Sequence, residues 1–372
     1  MEAITKGLSL EGGGAKGRSY GTALKHLDLN QYTVVGGSSA GAITAVLVAS
    51  RLSNDEIERA AKIPMKTLVT RETFKRYNKR TAASAVLWAS ERATESDTQK
   101  VRQQIGKLVQ PALERLSEFL NDEIMELTSD DDVEKARDLI PVSALVHKAA
   151  KNPVDDYTFG VIRKARLVMG KYYNEKDSPK DLLITATALK PTRAALIAKE
   201  CGLRVFSSKK AEDDHVPIPK AAAASGAFPG VFSPVWIDHV PYIDGGVMNN
   251  DPSDEVLKVT TGTVTSLRLN RIKKLKNRTN AAIGIATRHL KHKALRSTEG
   301  RYTLSKKLMK KTHKNKIRST KAQKERLIEM DVQPQKIDTL WMDPEDNEAK
   351  QADVSVMNKM RRYQQTIVER KL

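Results

Sequence analysis

One ten-residue stretch, Val34-Val35-Gly36-Gly37-Ser38-Ser39-Ala40-Gly41-Ala42-Ile43, constrains this chain more than any other. The apolar run from Tyr32 to Val35 reads as a short buried strand, and Ala40 to Ala49, rich in alanine and aliphatic residues, reads as a buried helix. Between them Gly37, Ser39 and Gly41 stand in the G-x-S-x-G spacing of a nucleophile elbow. The turn is so sharp that only glycine fits two positions before and after the serine, which leaves the Ser39 hydroxyl exposed at a helix N-terminus. Ser38 competes for the role, but its neighbours at the same offsets are Gly36 and Ala40, which favours Ser39. A Gly-Ser loop with a capping serine carries the same letters, so the rest of the chain has to decide between the two.

Upstream, Ile4 to Glu11 alternates as a first strand and runs into Gly12-Gly13-Gly14-Ala15-Lys16-Gly17, followed by a helical stretch from Arg18 to about Leu27. Backbone N–H groups of such a loop converge on an anion, aided by the helix N-terminus. The string fits G-x-G-x-x-G, yet a dinucleotide site wants an acid about 20 residues on, at the end of the second strand. Here that strand ends in Val34-Val35-Gly36 and the serine elbow. A Walker loop is excluded, because G-x-x-x-x-G-K-[ST] does not occur here. The reading that uses both loops is an oxyanion hole, with N–H groups from Gly13 and Gly14 set beside the serine to stabilise a tetrahedral oxyanion.

From about Ser53 to Lys151 the chain is charged and poor in glycine, with helical spacing in Val101-Ile105-Leu108 and Leu113-Leu116-Leu120, and Ser129 to Asp132 as a cap. This reads as a largely helical insertion. Asp130-Asp131-Asp132 lacks the spacing of an EF-hand and reads as acids drawn to a helix N-terminus, so no metal is expected. Strand patterns return at Asp181 to Leu189, around Ala194 to Ile197 and at Leu203 to Ser207, with a hairpin turn at Lys190-Pro191-Thr192-Arg193. Ile218 to Pro234 holds a short alanine-rich helix that must stop at Pro229, a packing element and not a catalytic one. Val240 to Ile243 then leads into Asp244-Gly245-Gly246. An aspartate at the C-terminal edge of a parallel strand, beside glycines that admit another loop, suits a group that meets a partner from elsewhere; alone, the same letters are an Asp-Gly turn.

Together these pieces resemble the patatin-like phospholipase family. The matches are Gly12 to Gly17, Gly37-Ser38-Ser39-Ala40-Gly41-Ala42, and Asp244-Gly245-Gly246 followed by Asn249-Asn250-Asp251-Pro252, with Ala222-Ala223-Ala224-Ser225 to Pro234 as the block before the acid. The resemblance covers about Ile4 to Ser50 and Asp181 to Val256. It implies a serine–aspartate dyad that hydrolyses acyl esters of lipids, with Ser39 as nucleophile, Asp244 as base, and Gly12, Gly13 and Gly14 lining the oxyanion hole. Lys16, Gly17, Gly37, Gly41, Gly245 and Gly246 support the motifs, and no cofactor is implied. Glu11 stands where many members carry aspartate, a departure at the strand end. The implied fold is a three-layer α/β sandwich with a mainly parallel central sheet.

Histidine bears on the mechanism. After Asp244 only His289, His292 and His313 remain, and His26, His147, His215 and His239 precede it in no catalytic pattern, so a dyad is preferred to a triad. A free aspartate titrates near pH 3.9, and partial burial would have to raise it for base work at neutral pH.

Charge is unevenly placed. The net charge is +19, and residues Arg271 to Arg326 hold twenty Lys and Arg against Glu299 and Glu325, leaving 44 basic and 43 acidic residues elsewhere. Lysines interleaved with Leu304, Leu308 and Met309 suit a basic amphipathic helix, which either stays solvated or docks on an anionic membrane. Tyr302 is the only aromatic residue there, so nucleic acid is a poor fit. Lys336 to Trp341 reads as an edge strand and Asn347 to Arg370 as a helix. The expected organisation is a hydrolase domain over 1–260, with the helical insertion at about 53–151, and a basic, mostly helical extension over 261–372. With one cysteine, no apolar run near the roughly 18 residues of a span, and no Sec-type signal in MEAITKGLSLEGGG, the chain reads as soluble, cytoplasmic or membrane-peripheral, or as exported by a non-Sec secretion system. The expected substrate is a phospholipid or other lipid ester, with any protein activator unspecified. The competing readings are a soluble-ester hydrolase and an inactive core that serves as a membrane or nucleic-acid binding module.

Overall fold

Apolar residues on successive positions of the central strands face opposite ways and create two cores. In β2 (Val34–Ser38) and β3 (Asp181–Ala188), Val35, Leu182 and Ile184 join Leu8 and Leu10 of β1 (Gly7–Leu10) in the larger core. Val34 and Leu183 pack on the other side with Val256, Leu257 and Val264. Helices cover both faces, so the molecule has three layers around one sheet. The structure is a computed structural model; it describes residues 4–63, 95–127, 132–173, 177–188, 202–228, 232–269 and 325–332.

The remaining strands are β4 (Gly202–Ser207), β5 (Val235–Ile237), β6 (Val240–Ile243), β7 (Val264–Leu269) and β8 (Leu327–Val332). Their order is β5-β6-β3-β2-β1-β7-β8, with β4 paired to β3 off this path. β1–β2, β1–β7, β2–β3 and β7–β8 are parallel, and β3–β4, β3–β6 and β5–β6 antiparallel. The sheet is therefore mixed and mostly parallel. β6 departs from expectation: the strand that delivers Asp244 runs antiparallel to β3.

On the larger core side, α1 (Tyr20–Ala23), α2 (Ala40–Ala49) and α3 (Asn54–Ala61) are followed by α4 (Glu95–Met125), α5 (Val133–Lys151), α6 (Phe159–Tyr172) and α7 (Ile218–Gly226). α3 starts on a capping box: the Ser53 hydroxyl accepts from the Glu56 amide, and the Glu56 carboxylate accepts from the Ser53 amide. The expected helical insertion runs on through α6. Ile105, Val109 and Leu120 of α4 share one core with Val35 and with Ala221 to Ala224 of α7, because their apolar stripes are completed by the sheet-covering helices. Asp132 does sit at the N-cap of α5, with no side-chain cap bond. The expected helix over Arg18 to Leu27 is one α-turn, α1, between 3-10 turns at Gly14–Ser19 and Leu24–His26.

The expected boundary at residue 260 cuts the sheet. β7 pairs with β1 and β8 with β7, so residues beyond 260 complete the central layer. Arg326, the last residue of the basic segment, donates to the carbonyls of Thr260, Gly262 and Leu257, where it ties the end of α8 (Ser253–Val259) to β8. Residues 271–324 of the basic segment, the strand at 336–341, the helix at 347–370, the turn at 190–193, the strand at 194–197, Pro229, and Asp130 and Asp131 all lie outside the described residues. Among the described residues, no helix is long and apolar enough to cross a membrane.

Candidate active site

Sheet topology brings Ser39 and Asp244 together. β4 holds one edge of β3 from Leu183 to Ala188, so β2 and β6 must share the other edge. β2 occupies that edge up to Ser38, opposite Thr185; β6 comes in from the other direction and ends with Ile243 opposite Thr187. The residues that follow, Ser39 and Asp244, meet in the gap between. Ser39 Oγ donates to Asp244 Oδ2 at 2.6 Å, and the second oxygen, Oδ1, accepts from the Gly246 amide at 2.7 Å. That amide fixes the carboxylate so that one oxygen faces the hydroxyl.

The elbow has the backbone its motif demands. Ser39 sits at φ 53°, ψ −124°, a conformation costly for any side chain, at the N-cap of α2. A Cβ on Gly37 would lie 2.2 Å from the Gly41 carbonyl oxygen, and one on Gly41 would lie 2.2 Å from the Leu10 carbonyl oxygen. Both contacts are with backbone, which no side-chain motion relieves. Ser38, the last residue of β2, has no solvent exposure. The expectation of an exposed serine hydroxyl is not met, since Ser39 is only 8% and Asp244 4% exposed.

The glycine loop lies against Ser39. A Cβ on Gly12 would stand 2.9 Å from Ser39 Cβ, and one on Gly17 would stand 2.6 Å from Ala40 Cβ. Gly14 has φ 58°, which glycine tolerates without strain. Gly12 lines the site but its amide donates to the Asn250 carbonyl at 2.9 Å, which removes it as an oxyanion donor. Among the described residues the Gly13 and Gly14 amides have no protein acceptor. Lys16 is buried beside the loop, and Gly245 packs against the Thr185 carbonyl and the Ser38 hydroxyl.

Glu11 does more than end a strand. Its carboxylate accepts from Asn250 Nδ2 and from the Leu269 amide, both at 2.8 Å, while Asn250 Nδ2 also donates to the Gly12 carbonyl. The glycine loop is thus tied to the segment after Asp244 and to the end of β7. Sequence reading also missed Ser225, whose hydroxyl accepts the Ser39 amide at 2.8 Å; a lone polar side chain inside an alanine run was the available signal. Of the described histidines, His147 Nδ1 is 3.4 Å from Ser117 Oγ and His215 Nε2 is 2.9 Å from Asp238 Oδ2. His289, His292 and His313 lie outside the described residues. Among the described residues no group of three or more His, Cys, Asp or Glu is placed to hold a metal.

The sequence pattern of the patatin-like phospholipases matches residues 8–257. The chain belongs to the patatin-like phospholipase family. Among solved structures it is similar to VipD from Legionella pneumophila, with a TM-score of 0.53 and 16% identity over 97% of this chain and 66% of VipD. At that identity the likeness shows the fold alone. It is also similar to ExoU from the type III secretion system of Pseudomonas aeruginosa, in a structure with SpcU, with a TM-score of 0.41 and 20% identity over 78% of this chain and 53% of that one. A comparison with curated proteins finds no match. This patatin-like chain thus spans just under two thirds of VipD.

Proposed function

We propose that this protein is a lipid acyl hydrolase that works through a Ser39–Asp244 dyad and an acyl-enzyme. The observation that carries the reading is the 2.6 Å hydrogen bond from Ser39 Oγ to Asp244 Oδ2 at a strained elbow, beside two glycine amides that have no acceptor among the described residues. Asp244 takes the Ser39 proton as Oγ attacks the ester carbonyl. The amides of Gly13 and Gly14 receive the oxyanion, and each such donor is worth about 3 kcal/mol of barrier. Collapse of the intermediate expels the alcohol, which carries off the proton held by Asp244. A water then gives its proton to Asp244 and attacks the acyl carbon, and the fatty acid leaves as Ser39 recovers its hydrogen.

Membership in a phospholipase family supports a phospholipid as substrate. The basic segment 271–326 supports docking on an anionic bilayer, where each Lys or Arg near the surface contributes about 1 kcal/mol. Product analysis by mass spectrometry on mixed phospholipid vesicles, with and without anionic lipid, tests the assignment. Release of fatty acid and lysophospholipid that vanishes in Ser39→Ala is expected. Equal rates on short monomeric esters and on lipid aggregates would favour a soluble-ester hydrolase instead.

A further inference from the structure

The last turn of α7 grips both members of the dyad from behind. Ser225 Oγ accepts the Ser39 amide at 2.8 Å and donates to the Thr185 carbonyl at 2.7 Å. Two residues later, the Ala227 carbonyl accepts the Asp244 amide at 2.9 Å. From β3, Thr187 Oγ1 donates to the Asp244 carbonyl at 2.9 Å. Ser225 has no solvent exposure and is the only hydroxyl in Ala221-Ala222-Ala223-Ala224-Ser225-Gly226-Ala227. A helix that served only to pack on the sheet would need no hydroxyl at this position.

We propose that Ser225 is a positioning residue, a clamp that holds the strained Ser39 backbone so that its Oγ faces Asp244; this rests on the dyad reading above. Ser39 sits at φ 53°, ψ −124°, a conformation that persists only where the surroundings impose it. Its buried amide finds its acceptor in Ser225. Because the Ser225 hydroxyl must use its own hydrogen on Thr185, its lone pair is directed at Ser39. The bond runs Ser39 amide to Ser225 hydroxyl to Thr185 carbonyl, and Thr185 is the β3 residue opposite Ser38, so the elbow is referenced to the strand it leaves. Without the clamp the peptide can rotate toward a relaxed conformation and carry Oγ away from Asp244 Oδ2. A displacement of about 1 Å costs on the order of a hundredfold in rate. Since Ser39 donates its amide to Ser225, that amide is also kept out of the oxyanion hole.

The test compares Ser225→Ala with the sterically matched pair Ser225→Thr and Ser225→Val, which differ only in the hydroxyl. The readouts are the rate of Ser39 labelling by a fluorophosphonate, kcat and KM on a short monomeric ester, and the thermal midpoint. Ser225→Ala and Ser225→Val are expected to label about ten- to a hundredfold more slowly than wild type, with kcat reduced and KM unchanged. Ser225→Thr is expected to regain most of the loss. Equal labelling by the Thr and Val variants, or a lowered midpoint in Ser225→Ala with an unchanged labelling rate, overturns the clamp while leaving the dyad standing. A wild type that the probe does not label overturns the dyad, and the clamp with it.

Discussion

Asp244→Asn isolates proton transfer from geometry. In the native site both carboxylate oxygens accept, Oδ2 from the Ser39 hydroxyl and Oδ1 from the Gly246 amide. An asparagine can keep Oδ1 on the Gly246 amide and turn its NH2 toward Ser39, whose hydroxyl then accepts where it used to donate. The hydrogen bond between the two side chains survives with its direction reversed, although the Ser39 hydroxyl hydrogen loses its acceptor, and the fold should lose about 1 kcal/mol, the worth of one ordinary hydrogen bond. Chemistry is a different matter, because an amide nitrogen cannot receive the serine proton. Loss of a general base removes about a hundred- to ten-thousandfold, on the order of 3 to 5 kcal/mol of barrier. Thermal unfolding and initial rates on mixed micelles, measured on the same preparation, should therefore diverge: a near-native midpoint with nearly all turnover gone. Turnover within about tenfold of wild type, at an unchanged midpoint, would refute Asp244 as the base.

Three further outcomes follow from the surroundings. Glu11→Gln sets an NH2 against either the Leu269 amide or Asn250 Nδ2, so it should cost about 1–3 kcal/mol in denaturant melts and slow turnover by loosening the glycine loop. Gly41→Ala drives a Cβ to 2.2 Å from the Leu10 carbonyl oxygen, and by overpacking should destabilise by about 1–3 kcal/mol or more, read as a lowered thermal midpoint. Lys180, buried with its ammonium donating to the carbonyls of Leu29 and Tyr32, has its pKa brought down to about 7 by burial first and then by Arg51 and Arg166, against a small opposing pull from Asp28. The unfolded chain keeps that proton to about 10.5 and the folded chain only to about 7, so this residue makes stability rise with pH between those values. Lys180→Met should flatten that rise in melts across the window; an unchanged slope would contradict the shift.

Much of this site was written in local sequence, and the reason is steric. G-x-S-x-G marks Ser39 because Gly37 and Gly41 each face backbone atoms about where a Cβ would stand, and only one residue type allows that. Asp244 was legible for a related reason, through the glycines that let its loop approach Ser38 and Thr185. What stayed hidden depends on strands far apart in the chain. Nothing in Val240 to Ile243 states that β6 runs antiparallel to β3, since a four-residue apolar run reads the same in both directions. Ser225 looked like packing because its two partners, Ser39 and Thr185, are 186 and 40 residues away. The boundary at 260 followed a change in charge, yet β7 and β8 flank that lysine-rich stretch and belong to the sheet, because composition reports on solvation and not on strand pairing. Glu11 likewise revealed its role only once β7 and Asn250 stood beside it.

The central claim is that Ser39 becomes acylated, and trapping that intermediate tests it most directly. The protein is mixed with a slowly turned-over acyl ester, quenched in acid, digested and analysed by peptide mass spectrometry. The acyl mass is expected on the peptide containing Ser39 in wild type and is expected to be absent in Ser39→Ala. Ester hydrolysis that proceeds with the acyl group on any other residue, or undiminished in Ser39→Ala, would contradict it.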